Sequence, residues 1–477
     1  MKLGLDTSTE TDAGVEHRPG LLIVPAHALT WILVGALAGC TVTNSVEDDP
    51  EDDRPANIWR DDPSERSKEL WVNPGDNLLA ALVEVEQNDL NQVLPANNQV
   101  LGAVLGEAGH YFSALTTFQP TGDAFLPQEE ECDDSDLPDA VEELCERIVD
   151  NPDDDEDQDG EQIVFINTLP HAPFHRSMVR KILSCAREAG YSYLAIEELE
   201  EDAAALTARG YVSRTTSGAA LREPQMARLI EDGLALEFQL VNFDVGQRCE
   251  ACGFVETINE RADRQAENLI AKTIGVDPAA RVLVVAGPFQ SFKEPWGQSE
   301  PYTTSLARRV WDVSGLEPYG IDQVAIDLPA LPFGVSSPSP PSGMYMASGP
   351  NNGRCMGQYA PSTPTGVGAL NTVIVHVPPR TDERRWDWLR APAEERRTIT
   401  PTCAACEPTE RLFVQAFRAG VDTADRVAID QTLCGSGEAC EMVLPAGSYQ
   451  VFVWSEEALV GSGPVDLTAT SSASLAL

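Results

Sequence analysis

Between residues 162 and 327, apolar segments of strand length alternate with amphipathic segments of helix length. Segments such as "QIVFIN" and "ARVLVVAG" are short and mostly apolar, whereas "RSMVRKILSCAREAG" repeats apolar residues at helical spacing and stops at a glycine. Strands that alternate with helices of this length form parallel sheets, with helices on both faces. The alternation therefore predicts an α/β fold with a mainly parallel sheet flanked by helices.

A different pattern begins at about residue 370 and continues to residue 477. Short apolar segments such as "TVIVHV" and "YQVFVW" are separated by turn residues at close spacing, which predicts a small antiparallel β-domain of the sandwich type. Within it, "LPAGSYQVFVW" favours a β-hairpin. Residues 331–369 are rich in Pro, Gly and Ser and are predicted to form a long surface loop.

Acidic residues dominate the charge of the chain, which has a formal net charge of −43. Such a surface repels a phosphate backbone, so a nucleic-acid partner is excluded. Much of the acid lies in two segments. Residues 41–66 are predicted to be an acidic disordered linker, and residues 129–161 an acidic insertion within an α/β domain spanning 67–330.

One of these acidic segments has the spacing of half a calcium-binding loop. "DEDQDG" places Asp155, Asp157 and Asp159 at loop positions 1, 3 and 5, with Gly160 at position 6. Position 12 is Ile166, whose side chain cannot ligate a cation. An acidic surface loop is therefore favoured over a calcium site.

The N-terminal segment "LLIVPAHALTWILVGALAGC" is apolar, and its end, Leu37-Ala38-Gly39-Cys40, resembles the lipobox of bacterial lipoproteins. The resemblance implies that residues 1–40 contain a signal peptide and that Cys40 is acylated, with palmitate-like chains as the membrane anchor. Thr41 follows in place of the aspartate typical of inner-membrane retention. We therefore predict a lipid-anchored protein of the cell envelope, at the outer membrane; a plain transmembrane anchor is the alternative.

Ten cysteines remain besides Cys40, out of 11 in the chain. An even number in an oxidising compartment predicts disulfide bonds. The ten are Cys132, Cys145, Cys185, Cys249, Cys252, Cys355, Cys403, Cys406, Cys434 and Cys440.

The spacing of these cysteines favours particular pairs. "CEAC" and "CAAC" have the CxxC spacing, for which metal or redox sites are alternatives to disulfides. "CGSGEAC", at 434–440, has turn residues between its cysteines and favours a clip across a hairpin. Cys132 and Cys145 flank a predicted short helix, which leaves Cys185 and Cys355 for a long-range bridge.

Ligands of parallel α/β sheets bind beyond the carboxyl ends of the strands. In this chain those ends carry four polar stretches: Asn167–Arg176, Glu197–Glu198, Asp244 and Gly287–Gln290. The sequence therefore places the candidate site at this edge of the predicted sheet.

Phrases of the same region resemble the superfamily of haem-uptake ChaN-like, Tiki-like and erythromycin-esterase-like proteins. They include "PFHRSMVRKILSCAREAGYSYLAIEEL" and "RADRQAENLIAKTIGVDPAARVLVVAG". The resemblance implies a cleft with four features: a Glu-x-His after the first strand, a Glu ending the second, a Glu after the third, and a His after the fourth. The candidate cleft residues of this chain are His171, His175, Arg176, Glu197, Asp244 and Gln290.

The chain departs from the family pattern at the positions whose side chains would transfer protons or bind a metal. The Glu-x-His position reads Thr168-Leu169-Pro170, Asp244 replaces the third-strand glutamate, and Gln290 replaces the fourth-strand histidine. Threonine, proline and glutamine cannot act as general acids or bases near neutral pH.

The sequence thus predicts a degenerate, non-catalytic domain that acts in binding or scaffolding, with an unknown protein or small-molecule partner. One alternative is a metal-dependent or acid–base hydrolase. Another is haem or divalent-metal binding for uptake, in which His171 and Asp244 would be weak candidate ligands, with Glu197 as a third.

Overall fold

A computed structural model describes an α/β domain and a β-domain. The residues that it describes are 102, 104–108, 114, 140–149, 162–169, 172–199, 201–218, 220–244, 254–288, 290–293, 304–323, 344–348, 372–376, 394–403, 406, 410–456 and 458–477. The predicted signal peptide with Cys40, the linker 41–66 and the calcium-like Asp155, Asp157 and Asp159 lie outside the described residues. Among the described residues, no helix has the length and apolar character needed to cross a membrane.

Parallel strands and helices alternate in the α/β domain, as the sequence predicts. The elements in chain order are α1 (Ala140–Val149), β1 (Ile163–Asn167), α2 (Pro173–Glu188), β2 (Tyr191–Ile196), α3 (Ala203–Arg209), α4 (Pro224–Ala235), β3 (Gln239–Asn242), α5 (Phe254–Lys272), β4 (Arg281–Ala286), α6 (Leu306–Ser314), β5 (Tyr319–Asp322), β6 (Met344–Ser348) and β7 (Thr372–His376). The strand order is β3-β2-β4-β1-β5-β7-β6, and every pair is parallel.

Helices cover both faces of this sheet, which explains why its central strands are apolar over most of their length. Val164 and Ile166 of β1 belong to a core that includes residues of α2 and α4. Ile163 and Phe165, which alternate with them, belong to a second core with residues of α5 and α6. Successive side chains of a strand point to opposite faces, so a strand buried on both sides has no polar alternation.

The sheet extends further along the chain than the sequence predicts. The segment "TVIVHV" was assigned to the β-domain, but β7 pairs in parallel with β5 and β6. The strand β6 lies within the stretch 331–369 that was predicted to be a loop. A short apolar strand has the same local pattern in either kind of sheet, so only tertiary packing decides where it pairs.

The β-domain consists of two small sheets that pack face to face. Its strands are β8 (Glu394–Thr402), β9 (Arg411–Arg418), β10 (Asp430–Gly435), β11 (Cys440–Pro445), β12 (Ser448–Trp454), β13 (Leu459–Asp466) and β14 (Ser472–Ala476). One sheet has the order β10-β9-β12-β13 and the other β11-β8-β14. All pairs are antiparallel except β8 with β14, so the predicted β-domain is confirmed.

The predicted hairpin at "LPAGSYQVFVW" is wrong, because β11 and β12 belong to different sheets. The chain turns a corner between the two layers at residues 446–447. Buried Tyr449 donates its hydroxyl to the carbonyl oxygen of Pro445, a contact like the tyrosine corner of other sandwiches. The same turn residues suit a hairpin or a corner, and the shared core of the two sheets decides between them.

Three disulfides lie within the described residues: Cys145–Cys185, Cys403–Cys406 and Cys434–Cys440. The 403–406 and 434–440 pairs agree with the sequence prediction. However, Cys434 lies on β10 and Cys440 on β11, so this bond joins the two sheets and does not clip a hairpin.

The expected bridge from Cys185 to Cys355 is wrong, because Cys185 bonds to Cys145, which therefore does not pair with Cys132 either. Leu144 and Ile148 of α1 join the core that includes α2, which brings the cysteines of the two helices together. The sequence shows an apolar face of α1 within the acidic stretch 129–161, but it does not show that this face packs against α2. Cys132, Cys249, Cys252 and Cys355 lie outside the described residues.

Buried charges join the two domains. Glu394, the first residue of β8, accepts from Arg180 of α2 at 2.7 Å and pairs with Arg228 of α4. Arg228 also donates to the carbonyl oxygen of Val443 on β11 at 3.1 Å, and Arg180 pairs with Asp232 at 2.8 Å. The side chains of Glu394, Arg180 and Arg228 are 5%, 1% and 7% exposed, so little water reaches this joint between the two domains.

The connection between β9 and β10 also inserts into the α/β domain. Val427 belongs to the α2–α4 core, and its N–H donates to the carbonyl oxygen of Val212 at 3.2 Å. The N–H of Arg214 donates to the carbonyl oxygen of Asp425 at 2.5 Å. The β-domain therefore packs directly against the α/β domain, and a residue of its β9–β10 connection belongs to the α/β core.

Candidate functional site

Three neighbouring strands bring polar groups together at their carboxyl ends. Glu197 follows β2, Asp244 follows β3 by one further residue, and Gly287 follows β4. Since the sheet order places β2 between β3 and β4, these ends lie side by side. We call Glu197, Asp244, the backbone N–H of Gly287, and the α5 residues Arg261 and Gln265 the strand-end cluster.

Both carboxylate oxygens of Glu197 have partners in the strand-end cluster. Oε2 accepts from the N–H of Gly287 at 2.5 Å. Oε1 accepts from Nε2 of Gln265 at 3.1 Å and pairs with Nη2 of Arg261 at 3.0 Å. A Cβ at Gly287 would lie 3.2 Å from Oε2, so the absent side chain permits this close approach.

Asp244 is held by a forked contact from Arg261. Nε of the guanidinium donates to Oδ1 at 3.1 Å and Nη2 donates to Oδ2 at 2.6 Å. Gln265 adds a bond to Oδ1 at 3.0 Å. Arg261 and Gln265 are four residues apart on α5 and therefore lie on the same face of the helix. The guanidinium of Arg261 and the amide of Gln265 each contact both Glu197 and Asp244.

His175 and Arg176 hold the chain after β1 in place. His175 is fully buried, and its Nδ1 accepts from the N–H of Leu169 at 3.2 Å. Arg176 is 1% exposed; its Nη1 donates to the carbonyl oxygen of Leu169 at 3.0 Å, and its Nε lies 3.7 Å from Glu223. These contacts give both residues a role in shaping the turn. His171, the other histidine of this stretch, lies outside the described residues.

Gln290 binds the beginning of α6. Its Oε1 accepts from the N–H of Leu306 at 2.9 Å, and its carbonyl oxygen accepts from the N–H of Ala307 at 2.9 Å. These are first-turn N–H groups that have no partner within the helix. Gln290, one of the predicted cleft residues, therefore caps a helix.

Asn167, Asp322 and Gln323 form a second polar group, at the ends of β1 and β5. The side chain of Asn167 donates to Asp322, and its Oδ1 accepts from the N–H of Gln323 at 2.7 Å. The side chain of Gln323 donates to the carbonyl oxygen of Asn167 at 2.9 Å. All three residues are fully buried. Sequence reasoning missed Asp322 and Gln323, and the signal for them was a polar pair closing a short apolar strand.

Glu198 differs from its neighbour Glu197. Its Oε2 is buried and has no hydrogen-bond partner. Burial raises the pKa of Glu198 to about 7, and the charge of Glu197 adds to the rise, while Arg176 and Arg261 oppose it. In the sequence, Glu198 stands out only as part of a polar strand end. The signal that would have singled it out is a second acid directly after a buried strand.

The acids of this edge do not converge as metal ligands do. Within the part of the chain that the structure describes, no group of three or more His, Cys, Asp or Glu side chains is arranged to hold a metal ion. In the strand-end cluster, Glu197 and Asp244 converge on the guanidinium of Arg261.

No family model and no curated protein matches this chain. Among solved structures, one described as bacterial protein toxins is 14% identical over 48% of this chain, with a TM-score of 0.26. An effector domain of a MARTX toxin from Vibrio vulnificus is 11% identical over 48% of this chain, with a TM-score of 0.25. The chain spans 44% of the length of each of these two structures.

A third similar structure is the C-terminal region of Pasteurella multocida toxin, in which a thiol-protease-like catalytic triad is described. It is 8% identical over 85% of this chain and 64% of its own, with a TM-score of 0.27. Scores this low carry no argument about function.

Proposed function

We propose that this chain is a lipid-anchored protein of the cell envelope whose α/β domain has a binding or scaffolding role and no catalytic one. The partner would be a protein or small molecule of unknown identity. The observation that carries the proposal is that the carboxylates of Glu197 and Asp244 are already bound by other groups of the protein. Each of the four carboxylate oxygens accepts at least one hydrogen bond, from Arg261, Gln265 or the N–H of Gly287, and Arg261 also forms an ion pair with Glu197.

Such a cluster is suited to holding strand ends together. A base or metal ligand must offer a lone pair to a proton or cation, and here either would compete with the charge-assisted hydrogen bonds from Arg261. The family-like positions that could supply another acid or base read Thr168, Pro170 and Gln290. A fold survives this change, since the packing of the sheet does not depend on those side chains.

One observation favours an acid–base hydrolase as the second candidate. Glu198 has its pKa raised to about 7, and a carboxylic acid that still holds a proton near neutral pH is a candidate general acid. Haem or divalent-metal uptake stays a prediction, since its main candidate ligand, His171, lies outside the described residues.

We expect no robust hydrolysis by the purified protein. An ester, peptide and phosphoester panel, run with added zinc, manganese and calcium, should show no turnover near ~1 s⁻¹, a rate at the low end for enzymes. Glu198→Gln is assayed beside the wild type, with Glu188→Gln, an exposed acid at the end of α2, as the control. Turnover near that rate that is lost only in Glu198→Gln, with a thermal stability no lower than that of the wild type, would establish the hydrolase.

The membrane anchor has its own test. Radiolabelled palmitate should attach to the wild-type protein in bacterial cells and not to Cys40→Ser, because only an acylated thiol carries the lipid. Thr41→Ser is the matched control and should keep the label. Equal labelling of Cys40→Ser and the wild type would rule out the lipoprotein assignment.

A further inference from the structure

Two consecutive glutamates after β2 have opposite environments. Glu197 has a hydrogen-bond partner on each carboxylate oxygen. Glu198 is half-buried as a residue, but its Oε2 is shielded from solvent and has no hydrogen-bond partner. An ionised carboxylate oxygen that is buried without a hydrogen bond has lost its hydration with no replacement, which costs free energy that protonation removes.

The charges around Glu198 do not compensate for its ionisation. The charged groups that act on it are Glu197 beside it, Arg176 from α2 and Arg261 from α5, and its own backbone N–H adds one hydrogen bond that favours the ionised form. Arg261 already pairs with Glu197 and Asp244, and Arg176 pairs with Glu223. Around these two guanidinium groups, the described part of the chain places four carboxylates: Glu197, Glu198, Glu223 and Asp244.

We propose that the strand-end edge is a proton-dependent switch: protonated Glu198 leaves the carboxyl ends of β2 and β4 joined, and its ionisation beside Glu197 loosens them. Repulsion between Glu198 and Glu197 would act directly on the bond from Gly287 to Glu197, which joins those ends. The switch is independent of any catalytic role.

The sign of the pH effect follows from the two states of Glu198. Its pKa is about 7 in the folded protein, whereas the ordinary pKa of a glutamate side chain is 4.5. Between these values the folded protein holds a proton that the unfolded chain has released. Stability contributed by Glu198 is therefore lost as the pH rises from about 4.5 to about 7, and the full penalty is present above that range.

The test compares the unfolding of the wild type and Glu198→Gln in urea at pH 5, 6, 7 and 8, using the mature protein. Glutamine has the shape of glutamate and stays neutral. We expect the variant to gain stability relative to the wild type as the pH rises, with the ratio of their unfolding constants changing by tenfold or more, on the order of what the shift in pKa predicts. Glu188→Gln, at an exposed site, should run parallel to the wild type.

A second measurement needs only the wild type, in case the variant fails to fold. Hydrogen exchange of the segment 283–288, corrected for the intrinsic effect of pH, should lose protection between pH 5 and 7 and stay level above that range. Parallel stability profiles for Glu198→Gln and the wild type would overturn the proposal, as would unchanged protection when no folded variant is obtained. Because neither readout involves turnover, this result is separate from the test for hydrolysis.

Discussion

Glu394→Ala is expected to lower the free energy of unfolding by about 3–5 kcal/mol, the usual cost of removing one partner from a buried ion pair. Glu394 is shared by Arg180 and Arg228 at the joint between the domains. Arg180 keeps Asp232 and Gln225 in the variant, but both guanidinium groups lose the carboxylate that faces them from the β-domain. Urea denaturation followed by tryptophan fluorescence measures the change.

Glu188→Ala is the matched control for Glu394→Ala. Glu188 lies on α2, the helix that carries Arg180, but it is exposed. Its removal should change stability by no more than about 0.5 kcal/mol. If the two variants had equal midpoints, the charges at the joint would not hold the domains together. A separate early transition in Glu394→Ala would show that the β-domain detaches before the α/β domain unfolds.

Arg261→Ala should be the second costly change, at about 2–4 kcal/mol. The substitution leaves Glu197 and Asp244 next to each other without the guanidinium that bridges them. The two acid side chains are 7% and 12% exposed, so water replaces the lost bonds only in part. The effect is expected below that of Glu394→Ala because the side chain of Arg261 is itself 23% exposed. Thermal and urea unfolding measure it.

Arg264→Ala on the same helix is the control. Arg264 pairs with Glu260 one turn away, and the two side chains are 40% and 35% exposed. Exposed pairs of this kind contribute about 0.3–0.5 kcal/mol, so this variant should remain close to the wild type. Equal losses for Arg261→Ala and Arg264→Ala would mean that the strand-end cluster does not stabilise the sheet.

The candidate site was predictable in its location but not in its chemistry. Glu197 and Asp244 follow strands, and the rule that parallel strands end at one edge brings them together. Arg261 and Gln265 were not singled out, because a polar face on an amphipathic helix is usually solvated. Their contact with the acids depends on how α5 packs across the sheet. Gln290 was at a family-like position, yet the nearness of α6 makes it a helix cap.

The alternation of strands and helices from β1 to α6, the α/β and β-domain classes, and the pairing of the close cysteines at 403–406 and 434–440 could be predicted from the sequence. These features depend on periodicity, turn residues and short spacing, all of which are local. Three features depend on tertiary packing instead: β7 joins the parallel sheet, β11 and β12 separate into two layers, and Cys185 bonds to Cys145. In each of these cases the local pattern allows more than one partner, and the choice is made by the apolar surface that the whole fold buries.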